Sequence, residues 1–123
     1  MMRSIDEAPA ELQTPIREFF PEGEWDHAAS ISFLESGWNW AAENDTTTSL
    51  TPCGSPIHQV NGVTVSAEHS VGYFQINICN FPNWNKCHLF NVRQNVGTAH
   101  ALWADAGGWS PWFFSAKALG LLT

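Results

Sequence analysis

Glu35 closes a helix-like stretch, Trp25 to Glu35, and opens the run Glu35-Ser36-Gly37-Trp38-Asn39. Trp25, Ala28, Ser32 and Glu35 are spaced three, four and three residues apart, so on a helix they share one face. An acid on that stripe points toward the core or a cleft wall. Burial disfavours the charged carboxylate and raises its pKa. A carboxyl that stays protonated near neutral pH can give its proton to a leaving oxygen. The plain alternative is an acid at a helix end that faces water. A second group follows in Gly72-Tyr73-Phe74-Gln75-Ile76-Asn77. The amides of Gln75 and Asn77 suit sugar hydroxyls and N-acetyl groups, and Gly72 lets backbone come close to a ligand. The same residues also serve as ordinary strand and turn fillers. The chain has seven tryptophans. Trp38, Trp40, Trp84, Trp109 and Trp112 fall in or beside expected loops, where rings stack on sugars, whereas Trp25 and Trp103 sit on apolar helix faces and read as core.

Thr14-Pro15 reads as a helix start leading into Ile16 to Phe20, which leaves residues 1–14 as a poorly structured lead. Pro21-Glu22-Gly23-Glu24 breaks that element and begins the Trp25–Glu35 helix, which Gly37 caps. From Trp40 to Pro56 the composition is polar and reads as loop. Asn61-Gly62 between His58-Gln59-Val60 and Val63-Thr64-Val65 is a type I′ hairpin signal. Ile78 to His88 is irregular. Val92, Val96, Ala99, Trp103 and Ala106 then mark a long helix ended by Gly107-Gly108, and Ser110-Pro111 starts a last helix through Leu121. The expected fold is α+β and mostly helical, one domain over 1–123 with a small β-hairpin insertion.

The 123 residues, 44% hydrophobic, fit one globular domain with a real core. Net charge is -7. The acids crowd the first half, and no cluster of Lys and Arg exists to grip phosphates, so nucleic acid is excluded as a partner. No apolar run approaches the roughly 20 residues of a membrane span. The first residues lack the apolar stretch of a signal peptide, so synthesis without export by that route is expected. Three cysteines, Cys53, Cys79 and Cys87, cannot all pair within one chain. A short Cys79–Cys87 staple, buried free thiols, or a zinc site with His58 or His88 are the readings open here.

The combination resembles the lysozyme-like superfamily, especially the soluble lytic transglycosylase-type and phage lysozyme domains. Trp25 through Asn39 is similar to the family's catalytic helix and Glu-Ser motif, and Gly72–Asn77 to its Gly-X-X-Gln-Ile segment. Leu89-Phe90-Asn91 with Asn95 and Ala99 is similar to its third motif. Gly107-Gly108-Trp109-Ser110-Pro111-Trp112 is similar to the aromatic segment that closes the domain. The likeness covers about residues 15–114. It implies a peptidoglycan glycosidase that needs no metal or organic cofactor and cuts between N-acetylmuramic acid and N-acetylglucosamine, with Glu35 as general acid. Ser36, Tyr73, Gln75, Asn77, Asn95, Trp109 and Trp112 are its expected substrate contacts. Asn95 also matches a helix residue that supports the acid, with a purely structural role equally open. Where animal-type lysozymes carry an aspartate, two residues before the glycine, this chain has Ser70. A second catalytic carboxylate must then come from Glu68, Asp45 or Glu43, with Glu68 favoured beside the hairpin, or be dispensed with in a one-acid transglycosylase mechanism. His69 either tunes the site or faces solvent. The partners implied are glycan strands of the bacterial wall and, for a virion component, phage tail proteins. The alternative is a wall-binding or structural module with an unproductive acid.

Overall fold

The computed structural model of the chain describes residues 1–122. Among these residues five α-helices and two small antiparallel sheets make an α+β fold: α1 (Ala10–Phe19), α2 (Trp25–Ser36), α3 (Lys86–Phe90), α4 (Val92–Ala106) and α5 (Phe113–Ala118), with β1 (Glu43–Asp45), β2 (Pro56–Val60), β3 (Val63–Ser66), β4 (His69–Val71) and β5 (Ile76–Asn77). One sheet has the order β1-β4-β5, and the other is the β2–β3 hairpin.

Sequence-local signals explain most of these elements. In α2, Gly37 takes the left-handed conformation (φ 63°), and its N–H donates to the Phe33 carbonyl. The hairpin turns at Asn61 (φ 50°) and Gly62 (φ 81°), the two positive φ values that a type I′ turn needs. Helix α4 spans the residues its periodicity marks, with the Asn91 side chain accepting from the Gln94 N–H at its start.

The N-terminal lead is a correction. Residues 1–14 are ordered: Ser4 caps a 3-10 turn over Ile5–Glu7, and α1 already begins at Ala10, with Pro15 inside it. The cause is tertiary. Ile5 and Leu12 enter the core, the Ile5 N–H donates to Asp26 Oδ1, and the Arg3 N–H donates to Ser30 Oγ. Two short elements also lie where loop or irregular chain is expected, and a third is wound more tightly than the helix start its sequence marks. β1 forms because Glu43–Asp45 pairs with His69–Val71, α3 is capped by Asn85, and the final helix begins as a 3-10 turn over Ser110–Trp112. Leu119, Leu121 and Leu122 pack against the core, so the apolar tail docks on its own fold. No helix among the described residues is long and apolar enough to cross a membrane.

The core joins α1, α2, α4 and α5 to the small sheet. Leu12, Ile16, Ala28, Ile31, Val71, Phe74, Val96, Ala99 and Ala116 meet there with no exposed surface. Phe20 stacks on Trp109 at 5.3 Å between ring centroids, and Trp109 leans on Trp112 at 5.4 Å.

Candidate functional site

A cleft of about 590 Å³ opens between the last turn of α2, the β3–β4 connection, β5 and the start of α5. Glu35, Glu68, Gln75, Asn77 and Trp112 line it, so five of the expected site residues converge. Glu35 is half-buried, and its burial raises the carboxyl pKa above the ordinary glutamate value. Two further influences act in opposite directions. Ser115 Oγ donates to Glu35 Oε2 at 2.5 Å, which favours the charged form, while the charge of Glu68 disfavours it. The helix face delivers this geometry: Ala28 and Ser32 are buried, and Glu35 lies one turn further on the same stripe, where the core opens into the cleft.

Glu68 lies between β3 and β4 and accepts a hydrogen bond from Ser70 Oγ at 2.7 Å. Ser70 therefore holds an acid two residues away. Of the other carboxylate candidates, Glu43 accepts from His69 Nε2 and from Lys86 Nζ, and its pKa is lowered first by the His69 bond. Asp45 is occupied by Thr47, whose side-chain and backbone bonds lower its pKa. Neither Glu43 nor Asp45 lines the cleft. His69 is thus engaged on the carboxylates of β1.

Gln75 has a left-handed backbone (φ 48°), uncommon for a non-glycine residue, at the end of the Gly72–Gln75 turn. Its Nε2 donates to the carbonyls of Ala42 and Gly72, which fixes the amide plane. Among the described residues nothing donates to its Oε1, so that atom is left as an acceptor on the cleft wall. Asn77 Oδ1 accepts from the N–H groups of His69 and Cys79, leaving its Nδ2 as a donor.

Four expected substrate contacts lie elsewhere. Ser36 Oγ donates back to the Ser32 carbonyl and is absent from the cleft lining. Tyr73 is buried, and its hydroxyl donates to Glu11 at 2.5 Å. Burial first, then this bond, raises its pKa. Trp109 is buried in the aromatic core, with Nε1 donating to Glu24. Asn95 is fully buried and acts as a clamp. Its Oδ1 accepts from the Phe74 N–H and its Nδ2 donates to the carbonyls of Val71 and Leu89, each at 2.9 Å. Gly72 (φ 80°) is required by that clamp, since a Cβ there would meet the Leu89 carbonyl at 2.6 Å and collide with the Asn95 amide. The close backbone approach permitted by Gly72 thus serves Asn95, not a ligand. Trp112 is buried too; it touches the cleft from below, with Nε1 donating to the Phe74 carbonyl.

The accessible rings at the cleft are Phe113 and Phe114, which lie edge to face at 5.4 Å. Sequence reading passes over them, although two adjacent aromatics exposed on a short helix are a signal of a binding rim. Ser115 has no comparable signal, because it is 80 residues from Glu35.

The cysteine pairing is also a correction. Cys53 bonds Cys79, with Cα atoms 5.7 Å apart, and Cys87 is free and exposed. This removes two sulfurs from any zinc site, and no group of three or more His, Cys, Asp and Glu side chains able to hold a metal exists among the described residues. A second groove, about 1070 Å³, lies along α4 between Phe19, Phe81, Trp84 and Asp105, but Glu35 and Glu68 are not in its lining. Comparison of the chain with models of protein families, with curated proteins and with solved structures finds no match, so the functional reading rests on the chemistry of the cleft.

Proposed function

We propose that the chain is a glycosidase that degrades peptidoglycan, cleaving the β-1,4 bond between N-acetylmuramic acid and N-acetylglucosamine, with Glu35 as general acid. The observation that carries this reading is the pairing of Glu35 and Glu68 in one open cleft, with Glu35 raised toward its protonated form by burial and by the Glu68 charge. The resemblance of the motifs to lysozyme-like domains agrees with it but rests on the same residues. Neutral amide groups on Gln75 and Asn77 and the exposed rings of Phe113 and Phe114 suit a polyol better than a charged ligand.

In the first step Glu35 gives its proton to the glycosidic oxygen as the bond from that oxygen to the anomeric carbon breaks. The second step has two forms. In hydrolysis, water attacks the anomeric carbon and gives its proton to a carboxylate, a role proposed for Glu68, which lines the same cleft. In transglycosylation, the 6-hydroxyl of the same muramic acid attacks and returns its proton to Glu35. The two products differ by one water.

Mass spectrometry of fragments released from purified peptidoglycan tests this directly. The expected result is muramic acid ends, reducing for hydrolysis or anhydro for transglycosylation, lost on Glu35→Gln substitution. Release of the same fragments by the Glu35→Gln protein would overturn the assignment. Sedimentation of both proteins with walls, with no fragment from either, would point to a wall-binding module.

A further inference from the structure

The wall that carries Glu68 is fastened differently from the helix that carries Glu35. β2 is exposed along its whole length, and β2 and β3 pack chiefly on each other. Yet Val63 to Ala67, in β3 and just beyond it, line the cleft. The segment from Thr46 to Glu68 closes on itself: the Thr46 N–H donates to the Glu68 carbonyl, and the Glu68 N–H donates to Thr46 Oγ1, both at 2.9 Å. At the hairpin base, Gly54 N–H donates to the Ala67 carbonyl and Ala67 N–H to the Ser55 carbonyl. The covalent anchor of this loop is the Cys53–Cys79 disulfide, which ties the approach to β2 to the turn following β5. Both cysteines line the cleft, and Cys53 is exposed to a reagent.

We propose that Cys53–Cys79 is a redox-controlled fastening of the cleft wall. Closed, it holds the hairpin, and Glu68 at its base, opposite Glu35. Reduced, it releases residues 46–68 while the helical core stays folded. Reduction is by a dithiol. One thiolate attacks Cys53 Sγ, the S–S bond breaks, and Cys79 leaves as a thiolate that takes up a proton. The second thiol then displaces Cys53, so the cystine becomes two thiols and the dithiol becomes a disulfide. The physical reason is that a cross-link limits the excursions of a loop that has little packing of its own. The consequence for catalysis, and only that consequence, rests on the glycosidase reading: the site would be assembled in an oxidising compartment and dismantled in a reducing one.

Amide hydrogen exchange on the intact protein, with and without dithiothreitol, tests the fastening. A Cys87→Ser background keeps the third thiol out of the exchange, and a Cys53→Ser/Cys79→Ser variant repeats the comparison without reductant. Exchange in residues 46–68 is expected to quicken about tenfold or more while α2 and α4 keep their protection. Peptidoglycan cleavage is expected to fall in parallel. Unchanged exchange in 46–68, or loss of protection across α2 and α4 as well, would overturn the fastening, and undiminished cleavage by the reduced enzyme would overturn its consequence for catalysis. If exchange responds as expected but neither redox form cleaves, the fastening stands and the glycosidase reading fails.

Discussion

The two carboxylates of the cleft stand on supports of opposite character. Glu35 ends α2, whose Ala28, Ala29 and Ile31 are wholly buried and whose C-terminus is closed by Gly37. Glu68 ends a loop and hairpin in which β2 is exposed and β3 half-buried, held by Thr46, Ser70 and one disulfide. A packed helix can set a pKa chiefly through burial, because its neighbours are fixed by close packing. A thinly packed wall fixes position only as well as its few bonds allow. In this fold Glu35 is thus held by the core and Glu68 by a thinly packed wall.

The largest effect that probes this contrast is Glu35→Gln. Loss of the general acid is expected to lower the cleavage rate about 10²- to 10⁴-fold, read from initial rates of fragment release. The folded protein binds the Glu35 proton more tightly than the unfolded chain. Its stability therefore falls as pH rises from the ordinary glutamate range through the raised folded pKa. The variant should lose that slope and melt no lower than the parent at neutral pH.

Next comes Asn95→Ala, which strikes the core support rather than the site. It strands the Phe74 N–H and the Val71 and Leu89 carbonyls in a dry interior. Urea unfolding is expected to show a loss of about 3 kcal/mol. Tyr73→Phe is milder. Removing the bond to Glu11 should cost about 1 kcal/mol of stability, again by urea unfolding, and leave the cleavage rate unchanged, because Tyr73 does not reach the cleft.

The smallest effects are shifts in the pH profile, and they should run in opposite directions. Ser115→Ala removes a bond that lowers the Glu35 pKa, so the alkaline limb of the rate should move to higher pH. Glu68→Gln removes the neighbouring charge that raises it, so the limb of the remaining activity should move to lower pH; by the hydrolytic route the rate itself also falls, because Glu68 takes the proton from water, and by the transglycosylase route it does not. Rate–pH profiles of the two variants beside the parent read both signs.

The same division governs what the chain discloses as sequence. Features fixed by neighbouring residues are readable: the Gly37 cap, the Asn61-Gly62 turn, the bounds of α4, and the Glu35 stripe with Ala28 and Ser32. Features made by distant partners are not. The order of residues 1–14 depends on Asp26 and Ser30, the Cys53–Cys79 bond on how the hairpin lies against β5, and the Ser115 contact on how α5 docks. Loop position makes Trp109 and Trp112 look available for stacking. Phe20, Phe74 and Trp103 enclose them instead, and the exposed rings are one turn later at Phe113 and Phe114.

Titration of the Glu35 side-chain carboxyl by carbon-detected NMR, assigned against Glu35→Gln, reaches the central claim most directly. A midpoint above the ordinary glutamate value, moving down when Glu68 is replaced by Gln, is the expected result. A midpoint at or below that value, indifferent to Glu68, would contradict it.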